Sequence, residues 1–283
     1  MIYISTACVK NTKIKNSVEE LASNGFRHIE LSGGTEYYDN FEIDLLDLKD
    51  KYDLNYLCHN YFPPPKKHFV LNLASLDKNT FNMSYNHLKD AISLSKRLGA
   101  KKFGFHAGFF IDIKVSEIGK KISRNDLFDQ EQSLNSFCSA FKKLQKESQG
   151  IDLHIENNVF SKTNWETYNG KNPFMMTNYK DYKQLKELID FNLLLDVAHL
   201  KVSSKTLSLD WEDEFLKMIG SSKYIHISDN DGFHDLNNQL KKSSGLFSLL
   251  FQSETQNKDF TLEVYENMDT IKKSYEILYD AVS

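Results

Sequence analysis

Four short apolar runs in this chain each carry a metal-competent side chain near their C-terminal end. They are IDLHIEN (Ile151–Asn157), NLLLDVAHL (Asn192–Leu200), YIHISDN (Tyr224–Asn230) and FTLEVYEN (Phe260–Asn267), and the side chains are Glu156, Asp196, His226 and Glu263. Strand side chains alternate faces, so a strand closing on a polar residue delivers that group to one rim of a sheet. Gathered at one rim, the three carboxylates would repel each other and be driven toward protonation. Desolvating even one unpaired carboxylate costs on the order of several kcal/mol. A divalent cation removes the difficulty, and His226 completes a four-ligand set. Three carboxylates and one imidazole make a mostly hard site, favouring Mn²⁺ or Mg²⁺ and admitting Zn²⁺ or Co²⁺. The competing expectation is that each acid pairs with a lysine, and Lys201 is the only lysine close in sequence to one of these ends.

The other polar strand ends extend the set. In chain order they are Glu30, His59, His106, Glu156, Asp196 with His199, His226 and Glu263, and a further histidine, His234, follows the seventh strand. In Asp196-Val-Ala-His199 the spacing lets the Asp take a metal while the His reaches a substrate or a second ion. His59 and His106 suit a substrate oxygen, acid–base work, another metal, or plain hydrogen bonding inside a barrel. Glu30 and His154 point inward by strand parity, which suits support of a metal ligand. The residues expected around a substrate are His59, His106, His199, Glu30 and Lys201. Cys58 lies beside His59, but a small buried apolar residue is the simpler reading of it and of Cys8 and Cys138, which have no disulfide-framework spacing.

Eight strand-like runs must position these groups. They are Met1–Ser5, His28–Leu31, Tyr56–Tyr61, Lys102–His106, Ile151–Asn157, Leu193–Val197, Tyr224–Ile227 and Phe260–Val264. Helical patterns cover Ile14–Asn24, Ile43–Tyr52, Ser84–Leu98, Asp126–Glu147, Asp181–Ile189, Asp210–Gly220, Leu246–Gln252 and Thr270–Ala281. A long loop over Val159–Tyr179, with Trp165, Phe174, Met175 and Met176, reads as a lid or as ordinary loop packing. Alternating strands and helices with no linker predict parallel βα units, here one (β/α)8 barrel domain over residues 1–283. An open doubly wound sheet is the alternative, but no Gly-x-Gly-x-x-Gly follows the first strand.

Bulk composition narrows the function. The net charge is −4, and Arg27, Arg97 and Arg124 are the only arginines among 35 basic residues. A nucleic-acid binder normally shows a basic stripe with arginine forks, so no nucleic-acid partner is expected. No apolar run approaches the roughly 20 residues of a membrane helix. The N-terminus lacks the pattern of a secretory signal, and the cytoplasm is the expected location. A small-molecule substrate is the expected partner, and a homo-oligomer is compatible.

ELSGG (Glu30–Gly34), HIEN (His154–Asn157), LDVAH (Leu195–His199), HISDN (His226–Asn230) and LEVYEN (Leu262–Asn267) together resemble the xylose isomerase-like TIM-barrel superfamily. That group includes sugar and sugar-phosphate isomerases and epimerases, inosose dehydratases and the endonuclease IV type of apurinic-site nuclease. The resemblance implies a divalent metal held by Glu156, Asp196, His226 and Glu263, with Glu156 and Glu263 also acting as base and acid. His199 matches a substrate-contacting histidine. In the nuclease members two further histidines, matching His59 and His106, help bind three metals.

This chain departs from that pattern after the seventh strand. Asn237 stands where the family often has His, the usual Pro-Gly-x-Gly is replaced by Lys241–Gly245, and the arginine of ketose epimerases has no counterpart. The resemblance therefore implies a metal-dependent isomerase or epimerase of a small sugar or sugar derivative, working through a metal-stabilised enediolate. The alternatives are an apurinic-site nuclease, a dehydratase, and a non-catalytic barrel that binds a sugar or a protein.

Overall fold

A computed structural model describes residues 1–282. Eight parallel strands close into a barrel in sequence order, with β8 returning to pair with β1. They are β1 Ile2–Ser5, β2 His28–Leu31, β3 Asn55–His59, β4 Lys102–His106, β5 Asp152–Glu156, β6 Asn192–Asp196, β7 Ser222–Ile227 and β8 Asp259–Leu262. Ten helices surround them: α1 Ile14–Ser23, α2 Phe41–Tyr52, α3 Lys78–Arg97, α4 Gln130–Glu147, α5 Lys162–Thr167, α6 Tyr179–Leu188, α7 Val197–Thr206, α8 Trp211–Ile219, α9 Gly245–Gln252 and α10 Met268–Val282. The expected (β/α)8 barrel is the observed fold, and the open sheet is excluded by the β1–β8 pairing.

The helices differ most from expectation in three places. α3 begins at Lys78 rather than Ser84, because the Asp77 carboxylate accepts from the Thr80 N–H and caps it. The long loop after β5 contains α5, capped by Ser161. Two helices, α7 and α8, separate β6 from β7 where one was expected; α7 starts directly on Asp196, whose side chain accepts from the His199 N–H.

Strand parity sorts the barrel into two cores. Outward residues such as Ile4, Ile29, Cys58, Phe103, Phe105, Ile155, Leu195, Ile225 and Leu262 pack under the helices in one large cluster. Inward residues Tyr3, Leu57, Leu194 and Tyr224 form a separate plug inside the barrel. Gly104 of β4 makes room for that plug, since a Cβ there would lie 2.4 Å from Leu194 Cδ1 and 3.1 Å from His59 Cδ2. At the opposite end from the strand C-termini, Lys102 Nζ closes the interior on Asp259 Oδ2 at 2.6 Å. The next inward layer above the plug is the polar one, at the C-terminal rim where α/β barrels keep their chemistry. All three cysteines are free and buried, and burial pushes the Cys58 thiol up to about 12. Cys58 is a core residue.

Candidate active site

Register brings the polar strand ends to one level. β4 and β5 align His106 with Glu156, β6 and β7 align Asp196 with His226, and Glu263 follows β8 with its N–H on Ile227 O at 3.0 Å. Two overlapping trios result, Asp196–His226–Glu263 and Glu156–Asp196–His199, each with its ligand atoms within 4.8 Å of one another. His226 Nδ1 lies 3.6 Å from Glu156 Oε1 and 3.5 Å from Glu263 Oε2. The four expected ligands are therefore in one place. None pairs with a lysine among the described residues; the ion pairs of Glu156, Asp196 and Glu263 are all with histidines.

The site fits a divalent ion on two counts. His226 Nδ1 is fully buried and has no hydrogen-bond partner among the described residues, although carboxylate oxygens surround it. Its separations of 3.6 and 3.5 Å from Glu156 and Glu263 also keep these groups within reach of one shared ion. The other ring nitrogen, Nε2, donates to Glu30 Oε2 at 3.0 Å. A carboxylate behind a metal-binding histidine fixes its tautomer and orientation.

Glu30 does not line the cavity and is 0% exposed. Thr261 Oγ1 donates to it at 2.8 Å, Ser32 Oγ at 3.2 Å, and the Tyr224 hydroxyl also donates to it. Burial opposes its charge, but the charge and N–H of His226, with His59 and the Tyr224 hydroxyl, hold the carboxyl down at about 2. Lys201 is likewise outside the cavity; its ammonium is held 2.6 Å from both Asp229 Oδ1 and Asn230 O.

His59, His106 and His199 do line the cavity together with Glu156 and Glu263. His59 Nε2 is 2.6 Å and His106 Nδ1 3.2 Å from Glu156 Oε2, and the three residues form a further potential ligand group. Burial raises Glu156, but the charges of His106 and His59 and the His59 hydrogen bond hold it well below the usual carboxylate range. Burial pushes His106 down to about 4. His199 donates from Nδ1 to Asn157 O at 2.9 Å and its Nε2 lies 3.3 Å from Asp235 Oδ2. Burial disfavours its charge, yet Asp196 and Asp235 raise it well above the ordinary histidine value. Asp196 is pushed up to about 7 by burial, with the charges of Glu156, Asp235 and Glu263 added against the pull of His199.

A cavity of about 710 Å³ opens over this layer. Its walls include Gly33, Gly34 and Tyr265 from the quoted motifs, and residues the sequence did not single out: Lys10 and Thr12 after β1, Thr35 and Glu36 after β2, Asn60 and Tyr61 after β3, and Asp235. Asn237, in the place of the family's histidine, also lines it, and its Oδ1 accepts from Ser228 Oγ at 3.1 Å. Trp165, Phe174, Met175 and Met176 do not line it; Phe174 packs with Phe109, Phe160 and Tyr168 in a small core of its own. His234 is exposed and bonds Asp231.

Comparison with known proteins agrees with this architecture. No curated protein matches the chain in sequence. Among solved structures, a D-tagatose 3-epimerase-like protein superposes with a TM-score of 0.74 at 16% identity, covering 99% of this chain and 96% of that one. L-ribulose 3-epimerase gives 0.67 at 16%, covering 97% and 86%. Endonuclease IV from Thermus thermophilus gives 0.62 at 13%, covering 99% and 98%. At these identities the likeness is one of fold. The family model of the xylose isomerase-like TIM barrel matches residues 18–281, nearly the whole barrel with every strand from β2 to β8, and the chain belongs to that family.

Proposed function

We propose that this barrel is a divalent-metal-dependent isomerase or epimerase of a small sugar or sugar derivative. The observation that carries the reading is the convergence of Glu156, Asp196, His226 and Glu263 around the unpartnered Nδ1 of His226. These four residues would hold the ion, with Mn²⁺ or Mg²⁺ suiting the donor set best. Such an ion supplies Lewis-acid polarisation of a sugar carbonyl, acidifying the neighbouring C–H. The sugar 3-epimerases among the structural neighbours support the same class.

The protein's own groups handle the proton. Glu156 is ionised and its Oε2 is held by His59, so a carboxylate oxygen is fixed at the cavity floor as a base. Glu263 reaches the same cavity from a strand three places further round and can return a proton from another side. One carboxylate takes the proton from carbon and the other delivers one, so the sugar is isomerised or epimerised with no net loss. His106, driven neutral by burial, is a hydrogen-bonding group for a sugar oxygen. Glu156→Gln and Glu263→Gln should each abolish exchange of substrate hydrogen with solvent deuterium while the barrel still folds. Exchange that survives in both variants would sink the assignment.

One observation favours a second reading. His59, His106 and Glu156 form a ligand group beside the first, as a multi-metal phosphodiesterase would need. Asn237 and the scarcity of arginine weigh against it. Elemental analysis separates the two, because several zinc ions per chain would reverse the ranking.

A further inference from the structure

We propose that the outer lobe of the cavity, between the loops after β1 and β2, is a phosphate subsite, and that the substrate is the phosphate monoester of a small sugar. This rests on the isomerase/epimerase reading above and adds to it the class of substrate.

Three features of the lobe point to an anion with several acceptor oxygens. Lys10 lines the cavity and, among the described residues, makes no ion pair or hydrogen bond. The backbone N–H groups of Gly33, Gly34 and Thr35 form a consecutive run without acceptors among the described residues, between a Ser32 N–H held by Thr6 Oγ1 at 2.9 Å and a Glu36 N–H held by Thr12 O at 2.8 Å. Gly34 has a φ of +98°, and successive amides around a left-handed residue make an anion-binding concavity. Thr35 also lines the cavity; it is 5% exposed, and its hydroxyl oxygen is buried without a partner among the described residues. A lysine, successive free amides and a hydroxyl are the donor set that a phosphate monoester fills, the lysine acting as a point charge.

The rest of the molecule is consistent with this division of labour. No arginine is available to the cavity: Arg27 donates to Ala22 O and Phe26 O, Arg97 forks onto Glu42, and Arg124 lies outside the lining. The acids Glu156 and Glu263 line the same cavity as metal ligands, so a sugar can place its carbonyl there and its phosphate toward Lys10. Size agrees. Allowing each non-hydrogen atom at most a water molecule's ~30 Å³ share of liquid volume, a free hexulose needs about 360 Å³ and its phosphate about 480 Å³. The cavity of about 710 Å³ has room for the phosphorylated sugar. Glu36 is the one acid in these two loops that lines the lobe, and it opposes an anion.

The test is calorimetric binding to the full chain loaded with Mg²⁺, using D-fructose, D-fructose 6-phosphate and inorganic phosphate as probes. The phosphorylated sugar should bind at least about tenfold more tightly than D-fructose. Lys10→Met and Thr35→Val should each lower that ratio, and the double variant should bring it near one. Glu36→Gln should raise it. Inorganic phosphate should bind more weakly than the sugar phosphate. The proposal is overturned if the wild-type ratio is near one, if fructose 6-phosphate does not bind, or if the ratio survives the Lys10 and Thr35 substitutions, which would place the phosphate on the metal. Inorganic phosphate binding as tightly as the sugar phosphate would mean a site for free anion and would also overturn it. These readouts involve no turnover. Loss of solvent exchange in the wild type would instead defeat the isomerase reading, so the two failures are distinguishable.

Discussion

Glu30 illustrates how far a single residue could be read. Strand parity correctly turns it into the barrel, but parity carries no depth. Expected both as support for a metal ligand and near a substrate, it is fully buried against His226 Nε2 and absent from the cavity lining. Its consequence is for metal affinity. The charge and N–H of His226, with His59 and the Tyr224 hydroxyl, keep it charged, so it accepts from Nε2 of His226 and leaves Nδ1 facing the carboxylates. Glu30→Gln should weaken Mn²⁺ or Mg²⁺ affinity by about 10–100-fold, the usual effect of losing such a partner. Titration calorimetry on the folded variant measures this, and an unchanged affinity would remove Glu30 from the metal site. Asp196 caps α7 and, on the proposed reading, would also ligate the ion. Asp196→Asn keeps the cap and should abolish metal binding without destabilising the metal-free protein. Asp196→Ala should do both, with the lost cap costing about 1 kcal/mol in chemical denaturation.

At the scale of elements, all eight strands were legible because each is a bounded apolar run, and β2 and β4 fall on the observed residues. Helices were legible where an apolar stripe and a glycine stop coincide, as for α1 with Gly25 and α3 with Gly99. α5 and α7 were not. α5 is six residues long, too short to show a period. α7 starts directly from a strand end, so Val197, Ala198 and Leu200 read as the tail of β6. The cavity wall was equally hidden, because the loops after β1 and β2 carry no periodicity and Lys10 and Thr35 meet the site only once the barrel closes. Position 104 shows the same limit. A glycine inside a strand reads as a weakness, whereas here it admits Leu194 and Tyr224 beside His59. Gly104→Ala should cost about 1–3 kcal/mol through overpacking. It should also lower activity by shifting His59, and unchanged denaturation would show that the plug can yield.

For the whole molecule, closure of the barrel gathers groups that repel each other, so ion binding and stability are linked. A ligand that binds only the folded state at 100 times its Kd adds about 2.7 kcal/mol, which for a chain of this size is a rise in Tm of about 4–5 °C. Mg²⁺ or Mn²⁺ should produce such a rise, and a chelator should cancel it. The effect should also depend on pH. In the ion-free protein Asp196 holds its proton up to about 7, chiefly because it is buried, whereas unfolded it releases the proton near its ordinary value of about 3.9. The folded state therefore binds more protons across that window, and metal-free stability falls as pH rises through it. His199 and His226 are raised above the ordinary histidine value by their acidic neighbours, so their contribution is complete below about 6.5 and declines as pH climbs through their folded values. An ion needs Asp196 as carboxylate and His226 neutral, so its binding releases protons and strengthens with pH. The rise in Tm caused by metal should consequently be larger at pH 8 than at pH 5.5, measured by calorimetry with and without chelator. A shift of equal size at both values would mean that the ion binds away from Asp196 and His226.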